Sequence, residues 1–214
     1  MSIFNILLLI NLLISIQVFA KTPTPKLSQF SLYVGSSLYN SSSENTTATV
    51  PPVTQKGVLI SEYQNSILYG LEYRKLNERA YIFKIGARSM NYRLIKSAKF
   101  TGENGLNLAL DITNPYSYQI HTAYFDFGYS ADSLYIYTGL NYNFFNFSNP
   151  SSTTPYQTRN GIGFQTGIGY LFDPEWTIDL TLSAARVGID SGTDYSNKTD
   201  LTFLDLQTSL RYCF

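Results

Sequence analysis

The chain holds one cysteine and one histidine, and only 14% of its 214 residues are charged. A lone thiol, Cys213, has no partner within the chain, so no internal disulfide staples the fold. It falls on the wet face of the last strand, where a buried, inert thiol is the default. His121 is the single histidine, and no His/Cys/Asp grouping has metal-ligand spacing, so neither a metal site nor a cofactor is expected. Nucleophilic catalysis needs a base with an orienting partner, and His121 stands beside Thr122 without a matching His–Ser pair. The expectation is a protein that is not an enzyme. Lys and Arg number 15 against 15 Asp and Glu, which leaves no basic patch for nucleic acid and no acidic one for basic partners. No Gly-rich loop opens a helix to cradle a phosphate. Beyond residue 20 no run is long and apolar enough to cross a membrane as a helix, so any later crossing must be made by strands.

Aromatics, by contrast, are abundant: 18 Tyr and 14 Phe make up most of a 15% aromatic fraction. Such side chains suit strands and the two boundaries between water and lipid. Residues 1–20, MSIFNILLLINLLISIQVFA, carry no charge and give way at once to Lys21. The apolar stretch Ile6 to Ile16 has the length of a secretory h-region, and Val18-Phe19-Ala20 fits a small-x-small cleavage site, so 1–20 is expected to be a signal peptide. An uncleaved anchor is the competing reading, since the run approaches the minimum length of a spanning helix and its n-region lacks Lys and Arg. Residues 21–26, KTPTPK, are a short Pro-broken leader.

The closing stretch LTFLDLQTSLRYCF alternates strictly. Leu204, Leu206, Thr208, Leu210, Tyr212 and Phe214 share one face of an extended strand, and Asp205, Gln207, Ser209, Arg211 and Cys213 share the other. A terminal Phe214 with Tyr212 and Leu210 behind it resembles the closing strand of bacterial outer-membrane β-barrels. In that family this pattern is the signal read by the assembly machinery. The resemblance implies an all-β, eight-stranded antiparallel transmembrane β-barrel over residues 27–214, like the membrane domain of outer-membrane protein A and the opacity-type proteins.

The remaining strands follow the same design. Strands are expected at about 27–39, 63–73, 81–88, 118–129, 134–144, 162–172, 176–184 and 201–214. Residues 40–57 lack any apolar face and contain two prolines, so they are expected to form a long loop, as are 93–116, 146–160 and 188–198. Residues 104–116 alternate as well, and a ten-strand alternative arises if they form part of an extra hairpin. In the last four strands the greasy face is broken only by Thr138, Thr166 and Thr208, while the opposite face is mostly Gly, Asn, Gln, Ser, Thr, Asp and Arg. That second face cannot make a dry ligand cup, but it fills a polar barrel interior. Turning the greasy belt to water would expose more apolar surface than a monomer tolerates. Tyr73, Tyr81, Tyr129, Phe172 and Trp176 flank the short turns at one level, the place of an aromatic girdle at the periplasmic boundary.

Charges in the interior phase are Glu72, Lys84, Arg88, Asp126, Asp179, Asp205 and Arg211. Unpaired charge in a narrow lumen is costly, so these should pair as a plug; a selectivity constriction in a small channel is the sharper alternative. The expected role is structural or surface interaction through long extracellular loops, because a rigid scaffold carries recognition on its loops. A narrow channel for small or apolar solutes is the alternative, and a lipid-modifying outer-membrane enzyme resting on His121 comes third. Arg186 falls in the outward phase, where it could meet lipopolysaccharide phosphate or simply lie in the loop. The partners implied are outer-membrane lipid and lipopolysaccharide, with the barrel-assembly machinery and periplasmic chaperones during biogenesis. No nucleic-acid partner is expected, and the chain is taken as a monomer in the bacterial cell outer membrane with no attached periplasmic domain.

Overall fold

The computed structural model describes residues 28–50, 53–112, 115–150 and 152–214. The expected signal peptide 1–20 and leader 21–26 lie outside the described residues. Twelve strands form one antiparallel sheet: β1 Ser28–Val50, β2 Val53–Tyr63, β3 Ile67–Leu76, β4 Tyr81–Met90, β5 Arg93–Gly102 and β6 Asn107–Leu110. The second half supplies β7 Ser117–Ala131, β8 Leu134–Ser148, β9 Tyr156–Arg159, β10 Gly161–Asp173, β11 Trp176–Ser191 and β12 Asn197–Cys213.

Eight of these close a ring, β1-β3-β4-β7-β8-β10-β11-β12 and back to β1. Closure joins Leu32 to Tyr212 and Ser43 to Thr202, so no sheet edge stays open around the ring. The chain ends are tied as well, since Phe214 N–H donates to the Phe30 carbonyl at 2.9 Å. Alternation sets the faces: Leu32 is 58% exposed, Ile85 57%, Leu140 66% and Ile162 67%, while Tyr33, Lys84, Asn141 and Gln165, in the other phase, are buried.

The ring matches the expected strands, and the expected loops are where the structure departs. Residues 40–50 and 53–57 are strand where a loop was expected. β1 continues upward to Val50 and pairs with β2 from Ser41↔Glu62 to Val50↔Val53. β2 in turn pairs with β5, and β5 with β6, so a raised flap of strands extends the wall of the barrel. Ser and Thr suffice there because paired backbone, and not burial of one greasy face, satisfies the strand, and β-branched Thr favours it.

The expected strand at 63–73 is two strands broken at 64–66, and the chain breaks again between β4 and β5 at 91–92. Both breaks lie at one level and are hydrogen-bonded across, Asn91 N–H to the Ile67 carbonyl at 3.1 Å and Gln64 N–H to the Leu94 carbonyl at 2.9 Å. Below this level β1 pairs with β3; above it β1 pairs with β2. Residues 107–110 form the strand β6, paired with β5 outside the ring, so the ten-strand alternative does not describe the closed barrel. The other two expected loops also shorten, because β8 runs to Ser148 with β9 beyond it, and β11 and β12 continue as a hairpin to Ser191↔Asn197.

Strict alternation from Phe30, Leu32 and Val34 would put Leu38 on the greasy face as well. A bulge between Ser37 and Tyr39 inserts it as the extra residue, so Tyr39 points outward at 44% exposure and Asn40 inward.

Candidate functional site

All seven sequence-predicted lumen charges are buried, and five of them form one network. Glu72 on β3, Lys84 on β4, Asp126 on β7, Asp179 on β11 and Arg211 on β12 converge because each sits in the inward phase of its own strand. Lys84 Nζ lies 3.3 Å from Glu72, 3.5 Å from Asp179 and 4.0 Å from Asp126. Arg211 spans two carboxylates, Glu72 at 2.7 Å and Asp179 at 2.5 Å. Neutral donors reach each of the three carboxylates: Tyr124 donates to Glu72 at 2.8 Å, Tyr135 to Asp179 at 2.9 Å, and Gln165 to both oxygens of Asp126 at 2.9 Å. Lys84 also sits 3.5 Å over the ring of Tyr137, and Arg211 4.3 Å over that of Tyr33. The side chains of Glu72, Lys84, Asp126 and Asp179 are at most 1% exposed.

The space that interior glycines leave is filled by tyrosine rings. Tyr135 stands directly across from Gly169 and Tyr137 across from Gly167, as do Tyr33 from Gly70 and Tyr124 from Gly86. A Cβ on any of these four glycines would collide with its tyrosine ring. Gly163 is filled in the same way by the Asn141 amide and the Ala184 carbonyl.

The other two predicted charges lie in separate contacts. Arg88 donates to Ser183 at 3.0 Å and makes no salt bridge among the described residues. Asp205 accepts from Ser37 at 2.6 Å, Gln207 at 2.8 Å and Arg93 at 2.9 Å. Arg93 and Arg74 are the charges that the sequence reading missed, so among the described residues five buried lumen cations (Arg74, Lys84, Arg88, Arg93, Arg211) face four lumen carboxylates (Glu72, Asp126, Asp179, Asp205) where three against four were expected, Asp190 being buried outside the lumen against Arg159. Arg74 was legible, being two residues after Glu72 and so on the same face; it bonds Gln29 and lies 3.8 Å from Cys213 Sγ. Arg93 was hidden by the break at 91–92, which resets the phase.

The girdle residues lie outward near the short turns. Tyr73 packs on Phe30 with centroids 4.9 Å apart, Tyr81 on Tyr129 at 6.1 Å, and Trp176 on Tyr212 at 5.0 Å; Phe172 is 41% exposed. Of the expected assembly signal, Leu210, Tyr212 and Phe214 all point out of the barrel. His121 faces outward between Ser89 and Phe144, and no hydrogen bond joins it to Ser89. Arg186 is 72% exposed and pairs with Asp200 at 2.7 Å. Arg159 bonds Asp200 and Asp190 as well, each at 2.7 Å, clamping β9 to β11 and β12; the two arginines hold the Asp200 carboxyl below the usual carboxylate range. Among the described residues no three His, Cys, Asp or Glu side chains come together as a metal site.

Above the charge layer the lumen changes character. Tyr63, Ile95, Tyr118, Ile120, Phe145, Val187, Leu201 and Phe203 form an apolar cluster across the barrel. Most lie at or beyond the ends of the expected strands, where the flap and the β11–β12 hairpin carry the inward phase upward. On this cluster stands a cavity of about 380 Å³, bounded at the long-loop end by Ser152, Thr154 and Tyr156.

No family model and no curated protein matches the sequence. The fold is shared with small outer-membrane barrels. The chain is similar to the outer membrane protein OprG from Pseudomonas aeruginosa, with 14% identity, 89% of this chain and 97% of that one covered, and a TM-score of 0.50. It is also similar to Neisserial surface protein A (15% identity, 86% and 97% covered, TM-score 0.47) and to the outer membrane protein AlkL (16%, 91% and 94%, 0.47).

Proposed function

We propose that this chain resides in the bacterial outer membrane as a barrel closed to solute passage and acts at the cell surface, through the flap and loops at its long-loop end. The observation that carries the reading is the charge layer: Glu72, Lys84, Asp126 and Asp179 lie across the lumen with side chains at most 1% exposed. A pore needs continuous water, and buried, mutually paired charges exclude it. Membrane residence rests on the outward belt, Leu140 at 66% and Ile162 at 67% exposure among many, which water would penalise by about 25 cal/mol for each Å² left uncovered. Export on residues 1–20 belongs to the same reading, as does a binding role in place of catalysis.

Single-channel recording tests it. A folded barrel, verified by its shift between boiled and unboiled gels, is expected to leave a planar bilayer silent. Stable unitary steps that change in Lys84→Gln would overturn the closed lumen and move the protein to the channel class.

A further inference from the structure

The cavity above the charge layer has a chemistry of its own. Its wall is aromatic: Tyr63, Tyr116, Tyr118, Phe145, Phe147 and Phe203 all line it. The rings brace one another, with Tyr63 edge-on to Tyr118 at 4.5 Å, Tyr118 against Phe203 at 4.5 Å, and Tyr116 against Phe147 at 5.3 Å. A braced wall is preformed, so a ligand would not bear the cost of ordering it. Ring faces present negative electrostatic potential to whatever they enclose.

The one charged side chain that lines this cavity is Glu44. It stands on the raised part of β1, across from Leu59 on β2 and in the same inward phase as Asn40 and Ser42. It makes no salt bridge among the described residues, and burial pushes its carboxyl above the ordinary range with no cation to hold it down. The arginines of the long-loop end are engaged elsewhere, Arg159 with Asp190 and Asp200, and Arg186 with Asp200. A half-buried carboxylate without a cation is a cost to the free protein that a cationic ligand would remove.

We infer that this cup binds an amphipathic organic cation, with its ammonium group beside Glu44 and its apolar body against the rings of Tyr63, Tyr118 and Phe203. An anion meets repulsion from the carboxylate. A neutral apolar molecule fills the cavity but leaves Glu44 desolvated and unpaired. A cavity of about 380 Å³ lies at the small end of the range of roughly 300–1,000 Å³ that ligand pockets span. The inference rests on the surface-binding reading, for which it names the ligand class.

The test uses the full barrel in lipid nanodiscs, with empty nanodiscs as reference, and three water-soluble probes: benzyltrimethylammonium, benzyl alcohol and phenylacetate. Calorimetric titration is expected to show benzyltrimethylammonium binding at one saturable site, about tenfold tighter than benzyl alcohol, with phenylacetate weaker than both. Glu44→Gln is expected to cost the cation about tenfold and leave benzyl alcohol within about twofold. Glu44 makes no contact that holds the barrel closed, and the gel shift verifies folding of the variant. Equal affinity for the three probes, a cation affinity untouched in Glu44→Gln, or no binding by a folded barrel would each overturn the inference. Failure of the underlying reading shows elsewhere: conductance steps would remove the closed lumen, while the charge preference of the probes would still decide the cup.

Discussion

Lys84 shows how single residues hold this interior together. Three carboxylates lie within 4.0 Å of its ammonium group, and tyrosine and glutamine donors bond the same carboxylates. A network of this kind gains little over an apolar core but is costly to break, because a removed partner leaves bare charge behind. Lys84→Met is therefore expected to lower stability by about 3–5 kcal/mol, read as a shift of the urea unfolding midpoint in detergent. An unchanged midpoint would mean that water reaches the layer after all. The Tyr–Gly pairs belong to the same scale, since Tyr135 over Gly169 and Tyr137 over Gly167 use the missing Cβ of one strand to seat the ring of the next. Their phase was visible in the sequence, but which tyrosine would stand across which glycine depended on register between strands.

Strands decide which way a residue faces, and irregularities in them decide where that rule stops. β12 is regular along its whole length, paired with β11 from Ser191↔Asn197 to Trp176↔Tyr212, so Leu206 keeps the outward phase that alternation assigns to it. Leu206→Arg puts a charge on the lipid face near mid-barrel, which costs about 2–4 kcal/mol at the bilayer midplane. Impaired assembly is expected, seen as loss of the heat-modifiable band in outer-membrane fractions; normal assembly would sink the facing of the closing strand. β1 behaves differently. Its bulge at Ser37/Tyr39 turned Leu38 off the greasy face and brought Tyr39 onto it, and no local composition announced the extra residue. The paired breaks at 64–66 and 91–92 did the same for Arg93, which became legible as a lumen residue only when the second half of the segment was seen to restart as β5.

At the scale of the whole molecule the barrel divides into a closed, charged lower interior and an aromatic upper one, with the flap raised above the ring. The ring closes without the flap's tip, because β1 already meets β12 from Ser31 to Ser43. Replacing residues 45–58 by an Asn-Gly turn between Glu44 and Leu59 is expected to leave barrel folding and its gel shift intact, since that dipeptide suits a two-residue hairpin. A barrel that fails to fold without the tip would show that the flap helps to close the ring. The girdle follows from the same division: every short turn lies at one end, so Tyr73, Tyr81, Tyr129 and Trp176 gather at one level while the polar hairpins gather at the other.

The sequence by itself determined the class of fold and the faces of the ring strands, except past the bulge in β1. Each of these follows from a period of two within a single segment, which needs no knowledge of any other segment. Tertiary structure alone decided the rest. Residues 40–50 became strand because β2 and β12 offered their backbones partners, and Arg93 entered the lumen because a break reset its phase. Glu44 and the rings of Tyr63, Tyr118 and Phe203 came to share one cavity because ring closure brings β1, β7 and β12 around a common axis and β2 pairs with β1 above it. Contacts between residues more than a hundred positions apart are set by closure and register, and no local pattern carries that information.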